Sequence, residues 1–174
     1  SLKARITIMG TICLLLQGIS SYKDFREGIQ LLYSDSKRLT EYIISESVFL
    51  AGTRQEKVMR VEARVGVIGS VQKIINQLDQ IKRGANGSII ASKLSGKLIA
   101  SRDEIDKLLD NLSDENDVKF VSTGLLEVLE ETPSYPTAPE KKENTIVSIR
   151  SYQEQRKKLR IRLQSVANKP IKQD

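Results

Sequence analysis

The sequence predicts an all-α fold, a long-helix bundle or coiled-coil-like assembly that ends in a helical arm behind a proline-rich linker. Apolar residues recur every three or four positions in three long stretches, which is the spacing of one helical face. The chain has five tyrosines, three phenylalanines and no tryptophan, so its core must consist mainly of Ile, Leu and Val. Such a core is typical of elongated helical bundles.

The first long helix is predicted over residues 22–51. Its apolar positions fit a heptad stripe that Ser36 and Glu46 interrupt, and Gly52 and Thr53 follow where the stripe ends. A stripe of this kind must be buried against another helix. Its members are Phe25, Ile29, Leu32, Leu39, Ile43 and Leu50.

A second long helix is predicted over residues 54–82. Apolar and polar residues alternate at 61–67, which offers a strand as the rival interpretation, but helical spacing continues beyond that point and favours a helix. The stripe consists of Val58, Val61, Val65, Ile68, Ile75 and Leu78. The two stripes together are the predicted seam of a homo-oligomer, because one thin bundle offers too little surface to cover them.

The region after the turn at 84–87 carries mixed signals. Residues 88–100 fit either a short amphipathic helix or a hairpin that turns at Ser95 and Gly96. Ser101 and Glu104 have the spacing of a capping box, which predicts that a helix begins there. Ser113 or Asp114 is predicted to cap the next helix, which ends before Pro133.

Residues 133–144 hold three of the four prolines and are predicted to form a semi-extended linker. The last helix is predicted over 145–167, with an apolar stripe at Ile146, Ile149, Tyr152, Leu159, Leu163 and Val166. The predicted domains are therefore a helical bundle over 1–132, the linker over 133–144 and a basic helical arm over 145–174. Few contacts are expected to cross the linker, so that the arm behaves as a detachable unit.

The charge is distributed unevenly along the chain. The net charge is +6, and all of this excess lies beyond residue 140, whereas residues 103–131 carry ten carboxylates and two lysines. The basic helix is predicted either to bind a polyanion or to dock on this acidic region, in its own chain or in a neighbouring one. The cations concerned are Arg150, Arg156, Lys157, Lys158, Arg160 and Arg162.

The sequence offers no recognisable catalytic, cofactor or metal site. The chain has no histidine, which removes the commonest general base and metal ligand. Residues 91–98 resemble a phosphate-binding loop, but Leu98 stands where a hydroxyl is needed, and the face formed by Asp103, Asp106 and Asp110 is interpreted as solvated. The single cysteine, Cys13, mildly favours a reducing compartment.

The predicted function is that of a non-enzymatic structural or scaffold protein, an assembly or capsid-associated component that self-associates as a dimer or trimer or binds another helical protein. Two alternatives remain open. One is a nucleic-acid-associated protein that uses the basic arm. The other is a membrane-acting helical protein that inserts residues 88–100 or the apolar run at 6–16 into lipid.

Overall fold

The computed structural model describes residues 24–35, 54–112 and 114–171, with residues 54–65 described by their backbone alone. Within these residues the protein is helical: α1 covers 25–35, α2 Arg54–Ala85, α3 Ala91–Asn111, α4 Glu115–Glu130 and α5 Ile146–Ala167. The described residues form no strand, apart from one isolated bridge between Asn86 and Thr137. The all-α prediction and the helical interpretation of residues 58–68 are confirmed.

The five helices surround one core. α5 packs against α3 and α4, α3 also packs against α2, and α2 makes fewer contacts with α4. α1 lies over the junction between α2 and α4, because Arg26 reaches Asp79 on α2 and Glu131 just beyond α4, while Phe25 contacts Phe120 and Gly124 of α4. The Phe25 ring packs directly against the backbone of Gly124, and a Cβ at residue 124 would overlap the ring.

The direction of α5 follows from two contacts with α3. The Asn144 side chain accepts a hydrogen bond from the Ala91 amide at 2.9 Å, and Arg162 lies 3.0 Å from Asp106, so the two helices run parallel. α2 and α3 are antiparallel, because Lys73 pairs with Glu104 and Ser101 donates to Gln77. The starts of α3 and α5 therefore lie at the same end of the bundle as the end of α2.

The helix boundaries confirm one capping prediction, show a second cap that was not predicted, and correct another prediction. Asp114 accepts hydrogen bonds from the amides of Asn116 and Asp117 and caps α4, and Thr145 caps α5 through the Ser148 amide. The capping box at Ser101 and Glu104 is wrong as a helix start, because α3 already begins at Ala91 and buries Ser101 within its length. Leu94 and Leu98 lie before the box on the same buried face as Ile105, so a single helix runs through Ser101 and Glu104 without a break.

The proline-rich segment 133–144 is tied to the bundle at several points. The Thr137 amide donates to Ala85, the Asn144 side chain donates to Pro136 and accepts from Ala91, and Tyr152 and Gln153 donate to the carbonyls of Pro133 and Ser134. The expectation that few contacts cross this segment is therefore wrong: α5 returns to the bundle and packs along both α3 and α4. Its apolar face supplies Tyr152, Leu159 and Leu163 to the core, each fully buried.

The core also absorbs part of the predicted oligomer seam. Six seam residues are at most 7% exposed within the single chain: Phe25, Ile29, Leu32, Ile68, Ile75 and Leu78. The expectation that these six need a second chain for burial is wrong, because helices of the same chain cover them. Leu39, Ile43 and Leu50, and the side chains of Val58, Val61 and Val65, lie outside the described part.

Candidate interaction surfaces

Three of the six predicted polyanion-binding cations contact the acidic region of their own chain. Arg160 lies 2.6 Å from Glu130, Arg162 lies 3.0 Å from Asp106, and Arg156 lies 3.8 Å from Glu130. Of the two outcomes predicted for the basic helix, docking on residues 103–131 within the same chain is thus observed for these three arginines. Their pairing uses charge that a polyanion would otherwise contact.

Arg156 is the most deeply placed of these cations. Its Nε donates to the Thr132 hydroxyl at 2.9 Å and a terminal nitrogen donates to the Thr132 carbonyl at 3.0 Å, while its side chain is 13% exposed. Thr132 follows α4, so the guanidinium binds the end of that helix, where cations are favourable. Beside it, burial raises the pKa of Tyr152, whose hydroxyl donates to Pro133 at 2.6 Å. Arg156 therefore has a structural role.

The remaining three predicted cations of α5 differ in whether they make an ion pair with a described residue. Lys158 pairs with Glu154 one turn earlier, at 3.2 Å. Arg150 and Lys157 are exposed and make no ion pair with any residue in the described ranges. Among the described residues, these two of the predicted six therefore have no internal ion pair to compete with an external anion.

The first third of α2 extends past the end of α3. Continuing the register of the Lys73–Glu104 and Ser101–Gln77 contacts places Asn111, the last residue of α3, level with Gly66. A Cβ on Gly66 would meet no described atom within 4 Å, whereas one on Gly69 would touch the Tyr33 ring at 3.4 Å. Residues 54–65 therefore continue the helix by about 18 Å beyond the end of α3.

An ion cluster that the sequence analysis missed attaches α1 to the bundle. Arg26 contacts Asp79 at 2.7 Å and Glu131 at 2.9 Å, and Lys82 lies 3.1 Å from Glu131. These hydrogen bonds, with that from Arg26 the stronger influence, hold the pKa of Glu131 below its ordinary value. The sequence separation of 105 residues between Arg26 and Glu131 left no local pattern that could have indicated this cluster.

A groove of about 500 Å³ lies at the end of the bundle where α3 and α5 end and α4 begins. The groove is lined by apolar and charged side chains. The apolar ones include Leu109, Leu112, Val118 and Val166, and the charged ones include Lys119 and Lys169.

No group of three potential ligands suited to a metal ion occurs in the residues that the structure describes, and Asp103, Asp106 and Asp110 form no such group. Arg162, which also lines the groove, is already paired with Asp106.

Two predicted apolar surfaces have outcomes that the sequence did not anticipate. Ala91, Leu94 and Leu98 turn the apolar face of residues 88–100 into the core, so that face is not available to lipid. Ile146, predicted within the buried stripe of the last helix, is instead 75% exposed, since α5 has only begun at this residue. Among the described helices, none is sufficiently long and apolar to cross a membrane.

The comparisons with known proteins add no constraint on these surfaces. No protein-family model matches the chain, and no curated protein or solved structure shows significant similarity to it.

Proposed function

We propose that this chain is a non-enzymatic helical scaffold protein that self-associates through the projecting first third of α2. The supporting observation is the length of α2, whose residues 54–65 extend beyond the end of α3. A helix that leaves its bundle needs another surface to cover any apolar face it carries. The sequence places Val58, Val61 and Val65 at the spacing of such a face.

The burial of the other seam residues narrows the proposed interface. Ile68, Ile75 and Leu78 are buried by the chain itself, so on α2 the proposed seam is confined to the segment before Gly66. A short heptad stripe can pair with the same stripe of a second copy in a symmetric contact, because each surface is then its own complement. The proposed assembly is a dimer or a trimer joined at this segment.

Sedimentation equilibrium tests this proposal directly. The wild-type chain is expected at two or three times 19.5 kDa at micromolar concentration. Val61→Glu places a charge on the stripe, and it is expected to shift the protein to 19.5 kDa while leaving the helical circular-dichroism signal intact, since Glu favours helix more than Val does.

Ala63→Glu is the matched control, because it adds the same charge two residues away and off the stripe. It is expected to leave the assembly unchanged. A wild-type protein that sediments only as the 19.5 kDa species, or equal effects of the two substitutions, would contradict self-association through this stripe.

Nucleic-acid association is a second candidate function, and Arg150 and Lys157 support it because neither makes an ion pair with another residue that the structure describes. Strong, salt-dependent binding to RNA would select this function. Reversing Arg156 is unsuitable as a test, since its largely buried side chain binds Thr132 at the end of α4 and its loss would disturb the fold. The scaffold function is favoured because most of the basic charge of α5 is already paired.

A further inference from the structure

The beginning of α5 carries the most exposed large apolar side chains in the part of the chain that the structure describes. Ile146 is 75% exposed and Val147 is 77% exposed, and Tyr135 in the preceding segment is 63% exposed. Isolated exposed apolar residues are common on protein surfaces, but adjacent aliphatic residues at the tip of a helix form a local patch.

Hydrogen bonds tie the backbone on both sides of Tyr135 to the chain around the start of α5. The carbonyl of Ser134 accepts from Gln153 at 3.1 Å, and the carbonyl of Pro136 accepts from Asn144 at 3.2 Å. Tyr135 therefore lies between two attachment points on the same short length of chain that begins α5. The three apolar side chains are presented on a fixed framework, because Asn144 is also bound to the start of α3.

The segments that form this patch also carry an excess of cations. The start of α3 lies beside the start of α5, and the exposed cations in the first five residues of each helix and in the proline-rich segment 133–144 make no ion pair within the described residues. Four cations thus stand against Glu140 and Glu143, the only two carboxylates of the same segments among the described residues. The cations are Lys93, Lys141, Lys142 and Arg150.

We propose that this basic apolar rim, formed by Tyr135, Ile146 and Val147 with the four cations, docks the protein on an anionic phospholipid surface. Aliphatic side chains at a helix tip can enter the boundary between headgroups and acyl chains, and tyrosine is favoured at that boundary. Lys and Arg beside them are attracted to the negative surface of the membrane. The inference goes beyond scaffold function and uses residues distinct from the α2 seam.

The chemistry of the rim favours lipid over the other possible partners. A symmetric contact between two copies at this rim would place its cations against one another, which is unfavourable. A nucleic acid would gain little from Ile146 and Val147, because base recognition uses aromatic stacking and the rim has one tyrosine. Lipid is the partner that contacts both the aliphatic tips and the cations.

The absence of tryptophan from the chain makes a single-site optical test possible. In Val147→Trp the introduced indole is the only one in the protein, and its emission is expected to shift to the blue with vesicles of phosphatidylcholine and phosphatidylserine. Vesicles of phosphatidylcholine alone are expected to give a much smaller shift. Ile161→Trp is the matched control on the same helix, at a position 53% exposed but away from the rim, and it should show no shift.

Vesicle co-sedimentation of the full chain provides the second measurement. The double substitution Ile146→Ser and Val147→Ser is expected to weaken binding to anionic vesicles by roughly tenfold or more, since two aliphatic side chains no longer leave water. Ile161→Ser should bind as the wild type does. Circular dichroism should confirm that all variants remain folded.

The outcomes are decisive in either direction. Loss of binding in the rim variant alone, together with dependence on phosphatidylserine, supports lipid docking. Equal binding by the rim variant and the wild type would overturn docking through the rim. That result is also the one expected if residues 6–16 alone bind the lipid. A rim variant that changes oligomeric state while lipid binding is unaffected would assign the rim to a second copy instead, and the α2 variant Val61→Glu tests the scaffold function separately.

Discussion

At the scale of single residues, two helical glycines differ in whether tight packing requires the absence of a side chain. Gly124 in α4 is buried, and a Cβ there would overlap the ring of Phe25. Gly96 in α3 is exposed, and a Cβ there would meet no described atom within 4 Å. Close packing of α1 therefore requires Gly124, whereas Gly96 only adds backbone freedom to its helix.

Alanine at these two positions should shift stability in opposite directions. Gly124→Ala is expected to lower the free energy of unfolding by about 1–3 kcal/mol, because the Phe25 ring must move away. Gly96→Ala is expected to raise it by about 1 kcal/mol, as for an exposed helix interior. Urea denaturation measures both, and a stabilised Gly124→Ala protein would show that α1 packs differently.

At the scale of elements, α3 receives its cap from a distant part of the chain. Ile90 occupies the cap position and makes no side-chain hydrogen bond to the helix, but Asn144 accepts from the Ala91 amide and donates to Pro136. One amide side chain thus joins three elements: the start of α3, the proline-rich segment and the approach to α5. It replaces the local cap that the sequence of α3 lacks.

Asn144→Ala should therefore destabilise the protein by about 1–2 kcal/mol, since it leaves the amide at the start of α3 without its acceptor. Hydrogen exchange is expected to accelerate in the first turn of α3 and at the start of α5 together. Thr145→Ala, which removes the local cap of α5, is the comparison: its exchange effect should stay within α5. Identical exchange patterns in the two variants would argue against the bridging role of Asn144.

The same elements show what the sequence could and could not predict. Helical spacing correctly predicted α2 and α5 and the burial of Leu159 and Leu163, because a continuous stripe must be covered. The spacing did not indicate which chain covers it, so Ile68, Ile75 and Leu78 were assigned to an oligomer seam. The bonds of Asn144 and the Arg26 cluster connect residues far apart in sequence, and no local pattern reports such contacts.

The surfaces were less predictable than the fold. The sequence indicated a surplus of positive charge in α5, and the structure places Arg156, Arg160 and Arg162 against carboxylates of the same chain. Charge counts along a sequence do not report pairing between helices. The exposure of Ile146 is a similar case, since spacing identifies a helical face but not how much of its length the neighbouring helices cover.

At the scale of the whole molecule, the titratable groups predict an unusual response to pH. The chain has no histidine, so no side chain has an ordinary pKa between about 5 and 8, and stability should be nearly constant there. The pKa of Glu131 is lowered, chiefly by its hydrogen bond to Arg26, and that of Tyr152 is raised by burial. Glu131 stabilises the fold when ionised, and Tyr152 does so when neutral.

Stability should accordingly fall at both ends of the pH range. The contribution of Glu131 is complete above its ordinary pKa of about 4.3 and is lost as the pH falls through the lower folded value. The contribution of Tyr152 is complete below about pH 10 and is lost as the pH rises through the higher folded value. The melting temperature measured across this pH range should show a plateau that falls at both ends. Glu131→Gln should reduce the fall at acid pH, and Tyr152→Phe should reduce the fall at alkaline pH. A maximum confined to one narrow pH range would contradict this prediction.

The return of α5 between α3 and α4 has a consequence for how the protein is made. Tyr152, Leu159 and Leu163 belong to the core, and the acceptor for the first amide of α3 is Asn144, so the earlier helices cannot complete their packing until α5 has been synthesised. Translation proceeds at about 5–20 residues per second, which leaves the apolar faces of α3 and α4 open for on the order of seconds. During that interval the nascent chain is exposed to chaperones and to aggregation, and the packing of α5 ends this exposure.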